Sequence, residues 1–237
     1  MKILKETGHY LDEQAKINKK IAYIFYVIGG VGLLYSFISI NFLLILISTF
    51  IIGIGGFFSY INIDYVKGLY GEILVTEYLR RLDDSYYLIN DVKLPNSYGN
   101  IDHILLGPNG IFVIETKNFE GDIRCDGDNW YQYKQEWKNP EEYERKSPSK
   151  QVKGNSLRLK QFIESKNIFK KPFKLWVDGI VVFTNENVEL ILNRPTVPVI
   201  KIRELYKYIK NKKSNLTFSP QELESIGKEI LRRAEAD

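Results

Sequence analysis

The chain has 237 residues, room for one soluble domain and an appendage. Its net charge of +4 and pI near 8.8 are mildly basic and do not by themselves point to nucleic acid. A single cysteine, Cys125, excludes an internal disulfide, and two histidines beside it leave little for a zinc site.

Residues 1–20 are polar and carry Lys2, Lys5, Lys16, Lys19 and Lys20; a short helix is expected over 8–17, with no chemistry assigned to it. From 21 to 61 no residue is charged. One helix of that length would run about 60 Å, twice the hydrocarbon core of a bilayer. Two spans of roughly 20 residues with a turn near Ser39-Ile40-Asn41 fit better. Lysines precede the first span, and Lys67, Arg80 and Arg81 follow the second. The positive-inside rule then places both termini in the cytoplasm, so the expected location is the cell membrane, with residues 21–61 in the lipid bilayer. Gly29 and Gly53 fall at similar depth and would let the helices touch closely. The competing reading is a buried helical hairpin of a soluble protein. A cleaved signal peptide does not fit, because the apolar region is too long and lacks a small-residue cleavage pattern.

Residues 64–82 have helical spacing at Val66, Leu69, Tyr70, Ile73, Leu74 and Leu82, with Glu72 beside the apolar stripe. A strand is expected over 86–94 and a turn over 95–99. Next comes N-I-D-H-I-L-L-G-P-N-G-I-F-V-I-E-T-K-N, residues 100–118. Two apolar runs flank a Gly-Pro-Asn-Gly cluster, which predicts a β-hairpin. With the four-residue loop as the whole connection, Leu106 faces Ile111 and Asp102 lies opposite Glu115. Their β-carbons are then roughly 5 Å apart, and Lys117 joins them on the same face. His103 points to the other face and is read as structural. Both faces are otherwise apolar, so the ribbon should be covered on both sides.

Two readings of this trio are open. The acids can sit at the fraying end of the hairpin, neutralised by Lys117 in solvent. Alternatively they lie near the core, where opposed carboxylates cost several kcal/mol unless compensated. A hard cation such as Mg²⁺, or Mn²⁺ in its place, would supply that compensation, since it takes carboxylates plus water and substrate phosphate.

Beyond the hairpin, 121–125 and 130–133 flank D-G-D-N and predict a second hairpin. Asp126 and Asp128 resemble the start of a calcium loop whose remainder is missing, so a plain turn is expected. Residues 134–150 are read as a loop. Its Lys134, Lys138, Arg145, Lys146 and Lys150 are candidates for phosphate contact, and Tyr131, Tyr133 and Trp137 for stacking on bases. Acidic residues at 141, 142 and 144 argue against a simple basic patch. Ser147-Pro148 opens a helix to about 165 with Gln151 in its first turn. Strands are expected over 175–184, 188–192 and 197–200, and helices over 202–211 and 219–234, the last with a capping box at Ser219-Pro220-Gln221-Glu222. No Gly-rich phosphate loop and no Ser/His/Asp triad is found, which argues against a Walker-type nucleotide site.

Asp102 followed by Glu115-Thr116-Lys117 after a hydrophobic hairpin resembles the D…(D/E)-x-K signature of the restriction-endonuclease-like nucleases. The wording of residues 101–118, with Gly71-Glu72 before it and Gly121, Trp130 and S-P-S-K-Q at 147–151 after it, is closer still to the nuclease-related domain, NERD. The resemblance covers about residues 67–162. It implies a restriction-endonuclease-like core. The expected fold is α/β, a mixed central sheet with helices on both faces, preceded by the two-helix transmembrane hairpin read from residues 21–61. The expected division is an N-terminal segment 1–20, a hairpin 21–61 and a nuclease-like domain 64–237. It implies catalytic roles for Asp102, Glu115 and Lys117, supporting roles for Glu72 and Gln151, and a metal held by Asp102, Glu115 and the carbonyl of Thr116. The expected activity is a membrane-anchored, Mg²⁺-dependent nuclease acting on nucleic acid, with DNA the favoured substrate. Two other readings stand beside it: a catalytically silent module of the same fold that binds nucleic acid or a partner at the membrane, and a membrane scaffold assembled through its hairpin.

Overall fold

A computed structural model describes the chain except for residues 96, 98, 135–140, 167, 170–174, 215–216 and 235–237; for 134, 141, 142, 233 and 234 only the backbone is described. The chain divides into a helical unit, His9–Tyr70, and an α/β unit made of Met1–Gly8 and Gly71–Asp237.

The helical unit is built from α1 (His9–Ser39) and most of α2 (Phe42–Leu79), two helices long and apolar enough to cross a membrane. The break between them falls at Ile40, whose φ is +48°, and Asn41 caps the second helix by accepting from the Leu44 N–H at 3.2 Å. The expected short helix over 8–17 is simply the start of α1, and the expected helix over 64–82 is the continuation of α2. Gly29 permits a close approach as expected: a Cβ there would sit 2.6 Å from Ile52 Cγ1 and 3.0 Å from the Ser48 carbonyl. Gly53 does not, with nothing within 4 Å of its would-be Cβ; Gly55 takes that role against Tyr26 and Ala22. Two positions along a helix turn a side chain by about 200°, so only one of the pair can face the neighbouring helix.

In the α/β unit a six-stranded mixed sheet runs in the order β1 (Lys2–Lys5), β2 (Tyr87–Val92), β3 (Ile101–Gly107), β4 (Gly110–Lys117), β8 (Val177–Phe183), β10 (Val199–Lys201). Strands β2, β3 and β4 are antiparallel; β1 pairs parallel with β2, and β8 and β10 run parallel to β4. One face carries Ile89, Ile104, Leu106, Ile111, Val113 and Val181 and packs against α3 (Pro148–Ser165) and α5 (Pro220–Ala234). The other carries Leu88, Leu105, Phe112, Ile114, Ile180 and Val182 and packs against Val75 and Leu79 at the end of α2 and against α4 (Ile202–Asn211). The mixed sheet covered on both faces is thus present.

Two features depart from expectation. Met1–Gly8 is not a free segment, since β1 adds an edge strand to the sheet. The stretch after Trp130 is not all loop either. Strands β5 (Asp122–Asp126), β6 (Asn129–Lys134), β7 (Glu141–Arg145) and β9 (Glu189–Asn193) form a second sheet in the order β7-β6-β5-β9. The alternation of Trp130 and Gln132 with Tyr131 and Tyr133 gives it a buried face, where Trp130 stacks on Phe183 at 5.9 Å.

Candidate functional site

The central hairpin pairs in the expected register, Leu106 with Ile111 through His103 with Ile114. Its turn is held from outside: Asn109 accepts from the Tyr86 hydroxyl at 2.9 Å and donates to the Ile209 carbonyl at 2.7 Å, and Gly110 has φ +151°. Continuing that register one residue outward sets Asp102 against Glu115. Asp102 Oδ2 accepts the Thr116 backbone N–H at 2.8 Å, and Lys117 Nζ donates to Glu115 Oε1 at 2.5 Å. By strand alternation Asp102, Glu115 and Lys117 share the face of Ile104, Ile111 and Val113. Glu115 is 1% exposed and the Lys117 side chain 18%, so the trio is not a frayed, solvated end.

His103 lies on the opposite face. It is buried between Asn90 Oδ1 at 2.8 Å and Thr116 Oγ1 at 3.0 Å, and burial pushes its pKa down to about 3. A neutral ring that donates from Nδ1 to the Asn90 carbonyl oxygen accepts at Nε2 from the Thr116 hydroxyl. Thr116 is therefore fastened from both sides of the sheet, by His103 through its side chain and by Asp102 through its amide.

The last turns of α2 bring Glu72 to the cluster. Gly71 allows this, because a Cβ there would meet Thr184 Oγ1, Thr116 Cγ2 and Asn118 Cβ at 3.0 to 3.3 Å. Glu72 is buried and accepts from Thr7 Oγ1 at 3.1 Å. Burial and the charge of Asp102 raise its pKa to about 9 against the Thr7 hydrogen bond, with Asp91 and Glu115 adding to the rise. Glu115 rises to about 8 through burial and Asp102, Lys117 opposing. Asp102 is also raised, by burial, with Lys117 and the Thr116 amide opposing. Burial alone would lower Lys117, but Glu115 and Asp102 outweigh it and hold the ammonium charged.

Asp91 belongs to this group and was not anticipated. The β2–β3 register places it between Asn90, paired with His103, and Val92, paired with Ile101, and so beside Asp102. It is buried with a left-handed backbone, φ +53°, a conformation aspartate tolerates. Asn100 donates to its carboxylate at 2.6 Å and Lys5 Nζ to its carbonyl at 2.5 Å. A polar residue in an apolar strand was the available signal; its neighbour across the sheet was not legible without the register.

Gln151 is exposed in the first turn of α3, which Ser147 caps by accepting from the Lys150 N–H at 3.2 Å. Among the described residues no hydrogen bond or ion pair joins its side chain to the acid cluster. Of the expected nucleic-acid contacts, Trp137 and Lys138 lie outside the described residues. Arg145 is engaged inside the smaller sheet, bonding Gln132 Oε1 and lying over the Phe119 ring, and Tyr131 carries Arg124 at 4.9 Å.

Among the described residues no three His, Cys, Asp or Glu side chains form a ready ligand set. The cluster still suits a hard cation. Glu115 Oε2 is buried with no hydrogen-bond partner among the described residues. Such an oxygen must be protonated or meet a positive charge. Two carboxylates with water completing the shell is a usual magnesium environment.

The fold and site thus define an α/β domain whose central hairpin buries an acid–lysine cluster braced by an N-terminal strand. The family model of the nuclease-related domain, NERD, matches residues 67–184, which makes this stretch nuclease-related by sequence. It takes in Glu72, Asp102, Glu115, Lys117 and Gln151 and ends just after β8. An uncharacterized protein of Bacillus anthracis is 48% identical over 59 residues, 23% of this chain and 28% of that protein. The chain thus covers little more than a quarter of that relative's length. No solved structure matches the chain.

Proposed function

We propose that this protein is a membrane-anchored, metal-dependent nuclease that hydrolyses phosphodiester bonds, with DNA as substrate. The observation that carries the reading is half-buried Asp102 and buried Glu115 set against Lys117 on one face of the hairpin, with one Glu115 oxygen unpartnered among the described residues. Asp102, Glu115 and the Thr116 carbonyl would hold Mg²⁺ or Mn²⁺, which when bound supplies Lewis-acid charge and a lowered pKa for its water. Lys117 stays charged in this site and is placed to orient the attacking water and to stabilise charge gathering on the scissile phosphate. Glu72 and Asp91 keep the pocket acidic, and His103 and Asn90 lock the strand that carries Thr116. Gln151, at the exposed start of α3, would contact substrate.

The anchor is the helix pair. Ile38, Phe42 and Phe50 are each more than 70% exposed, which suits lipid rather than water and disfavours a buried hairpin of a soluble protein. With lysines before the first span and Lys67 after the second, the α/β unit lies on the cytoplasmic side.

The test uses the full chain in detergent with plasmid and single-stranded DNA. Cleavage is expected with Mg²⁺, is lost in EDTA, and falls on the order of 100-fold or more in Lys117→Ala. Cleavage unchanged in that variant or in EDTA overturns these roles.

A further inference from the structure

Residues 201–213 read K-I-R-E-L-Y-K-Y-I-K-N-K-K, six cations against one carboxylate, a surplus larger than the net +4 of the whole chain. This is α4 and the residues just past it. Its apolar side, Ile202, Leu205 and Ile209, is buried on the sheet, and Arg203, Lys207, Lys210 and Lys213 are exposed.

Internal pairing accounts for only part of this charge. Arg203 meets Glu186 at 2.7 Å, Lys210 meets Asp83 at 2.7 Å and Lys212 meets Asp178 at 2.8 Å. Lys207 and Lys213 have no ion-pair partner among the described residues. The lone Glu204 accepts from the Lys201 backbone N–H at 3.0 Å. Arg203 and Lys207 are like charges one turn apart, an arrangement that costs a helix stability rather than adding to it.

Topology says where this surface begins. Strands β4, β8 and β10 are parallel, and their registers set Lys117 beside Phe183 and Phe183 beside Lys201. The carboxyl ends of the three strands form one edge of the sheet, the edge at which open α/β sheets take their ligands. Lys201 lies two strand spacings, roughly 10 Å, from Lys117. There α4 starts, so its positive dipole end faces the same edge. Lys207 follows about 9 Å along the helix, away from that edge, and Lys213 lies just past the helix end at Asn211. An open groove of about 730 Å³ lined by Ile200, Arg203, Lys207, Tyr208 and Lys213 runs beside them.

We propose that this cationic side of α4, which lies on the sheet face opposite the acids and begins two strands from Lys117 at their shared edge, binds the phosphate backbone of the nucleic-acid substrate, which reaches the acid cluster over that edge. The inference rests on the nuclease reading and deepens it. It uses residues beyond the matched segment, which ends at 184. Because phosphates rather than bases are held, binding is insensitive to sequence and steeply dependent on salt.

The experiment measures anisotropy of a labelled duplex of about 20 base pairs bound to the full chain in detergent and EDTA, across a salt series. Lys207→Gln with Lys213→Gln is expected to weaken binding several-fold and to flatten the log affinity against log salt slope by nearly 2, about 0.9 per lost contact. Adding Lys201→Gln and Arg203→Gln flattens it further, and Lys207→Arg with Lys213→Arg restores the wild-type slope. All are exposed or half-exposed, and circular dichroism checks the helix. Wild-type binding that the Gln variants leave unchanged overturns the track and spares the nuclease reading. Wild-type protein with no affinity for duplex or single strand overturns both. If the Gln variants keep DNA affinity but lose hydrogen-exchange protection of α4 in nanodiscs containing phosphatidylglycerol, the surface belongs to anionic lipid and the proposal fails.

Discussion

Thr7 Oγ1 and Glu72 Oε2 are hydrogen-bonded at 3.1 Å although 65 residues separate them, and both apolar segments lie in that interval. The acid that resembles a supporting residue of the nuclease family is thus braced by a residue outside the matched segment. Thr7→Val keeps the side-chain shape and removes the donor. A lost buried hydrogen bond of this kind costs about 1 kcal/mol. Amides of β1 and the end of α2 are expected to exchange several-fold faster by hydrogen-exchange mass spectrometry, with Thr7→Ser restoring protection.

The raised acids make stability depend on pH with a definite sign. Glu115 and Glu72 move from 4.5 to about 8 and about 9, Glu115 first through burial and then Asp102, as for Glu72. Between about pH 4.5 and 8 the folded chain therefore holds protons that the unfolded chain has released. Stability falls wherever the folded state binds more protons and pH rises. In EDTA the denaturation midpoint followed by intrinsic tryptophan fluorescence is expected to be higher at pH 5.5 than at pH 7.5, and millimolar Mg²⁺ to flatten the difference.

Glu115→Gln separates the fold from the chemistry. The substitution removes one of the mutually repelling carboxylates without changing side-chain length. The metal-free protein is expected to gain stability at pH 8 and to lose part of its pH dependence, and cleavage is expected to drop by 100-fold or more. Paired denaturation and plasmid-nicking assays read both. A variant that is less stable at pH 8 contradicts the picture of repelling acids.

The two glycines named for helix contact should behave oppositely. Gly29→Leu drives a side chain into Ile52 and the Ser48 carbonyl, whereas Gly53→Leu projects into open space. Disulfide trapping of cysteine pairs placed across α1 and α2 is expected to fail in the first variant and persist in the second.

Much of this was readable from local signals. The Gly-Pro-Asn-Gly turn set the hairpin register, and with it the opposition of Asp102 and Glu115. Ser147-Pro148 and the Ser219 capping box placed the starts of α3 and α5, where Ser219 N–H donates to Glu222 at 2.8 Å. What escaped depends on distant pairing. Lys2–Lys5 is too short to show a period, and its partner β2 is more than 80 residues away. Asp91 looked like one more strand residue because its neighbour Asp102 is defined only by the β2–β3 register. The smaller sheet was hidden for the same reason: β5 pairs with β9 from well beyond α3. Gly53 and Gly55 could not be told apart, since the choice between them turns on helix rotation.

The Thr7–Glu72 contact also fixes where the α/β unit can be cut. Because these two side chains touch, the chain ends left by excising His9–Tyr70 lie close together. A flexible Gly/Ser linker of about six residues reaches some 12–15 Å, enough to rejoin them. Such a shortened chain keeps β1 on the sheet edge and Glu72 bonded, whereas truncation at Asp64 would discard both β1 and the Thr7 donor. A water-soluble form suited to crystallisation with metal and oligonucleotide should therefore be made by internal deletion, not by trimming from the front.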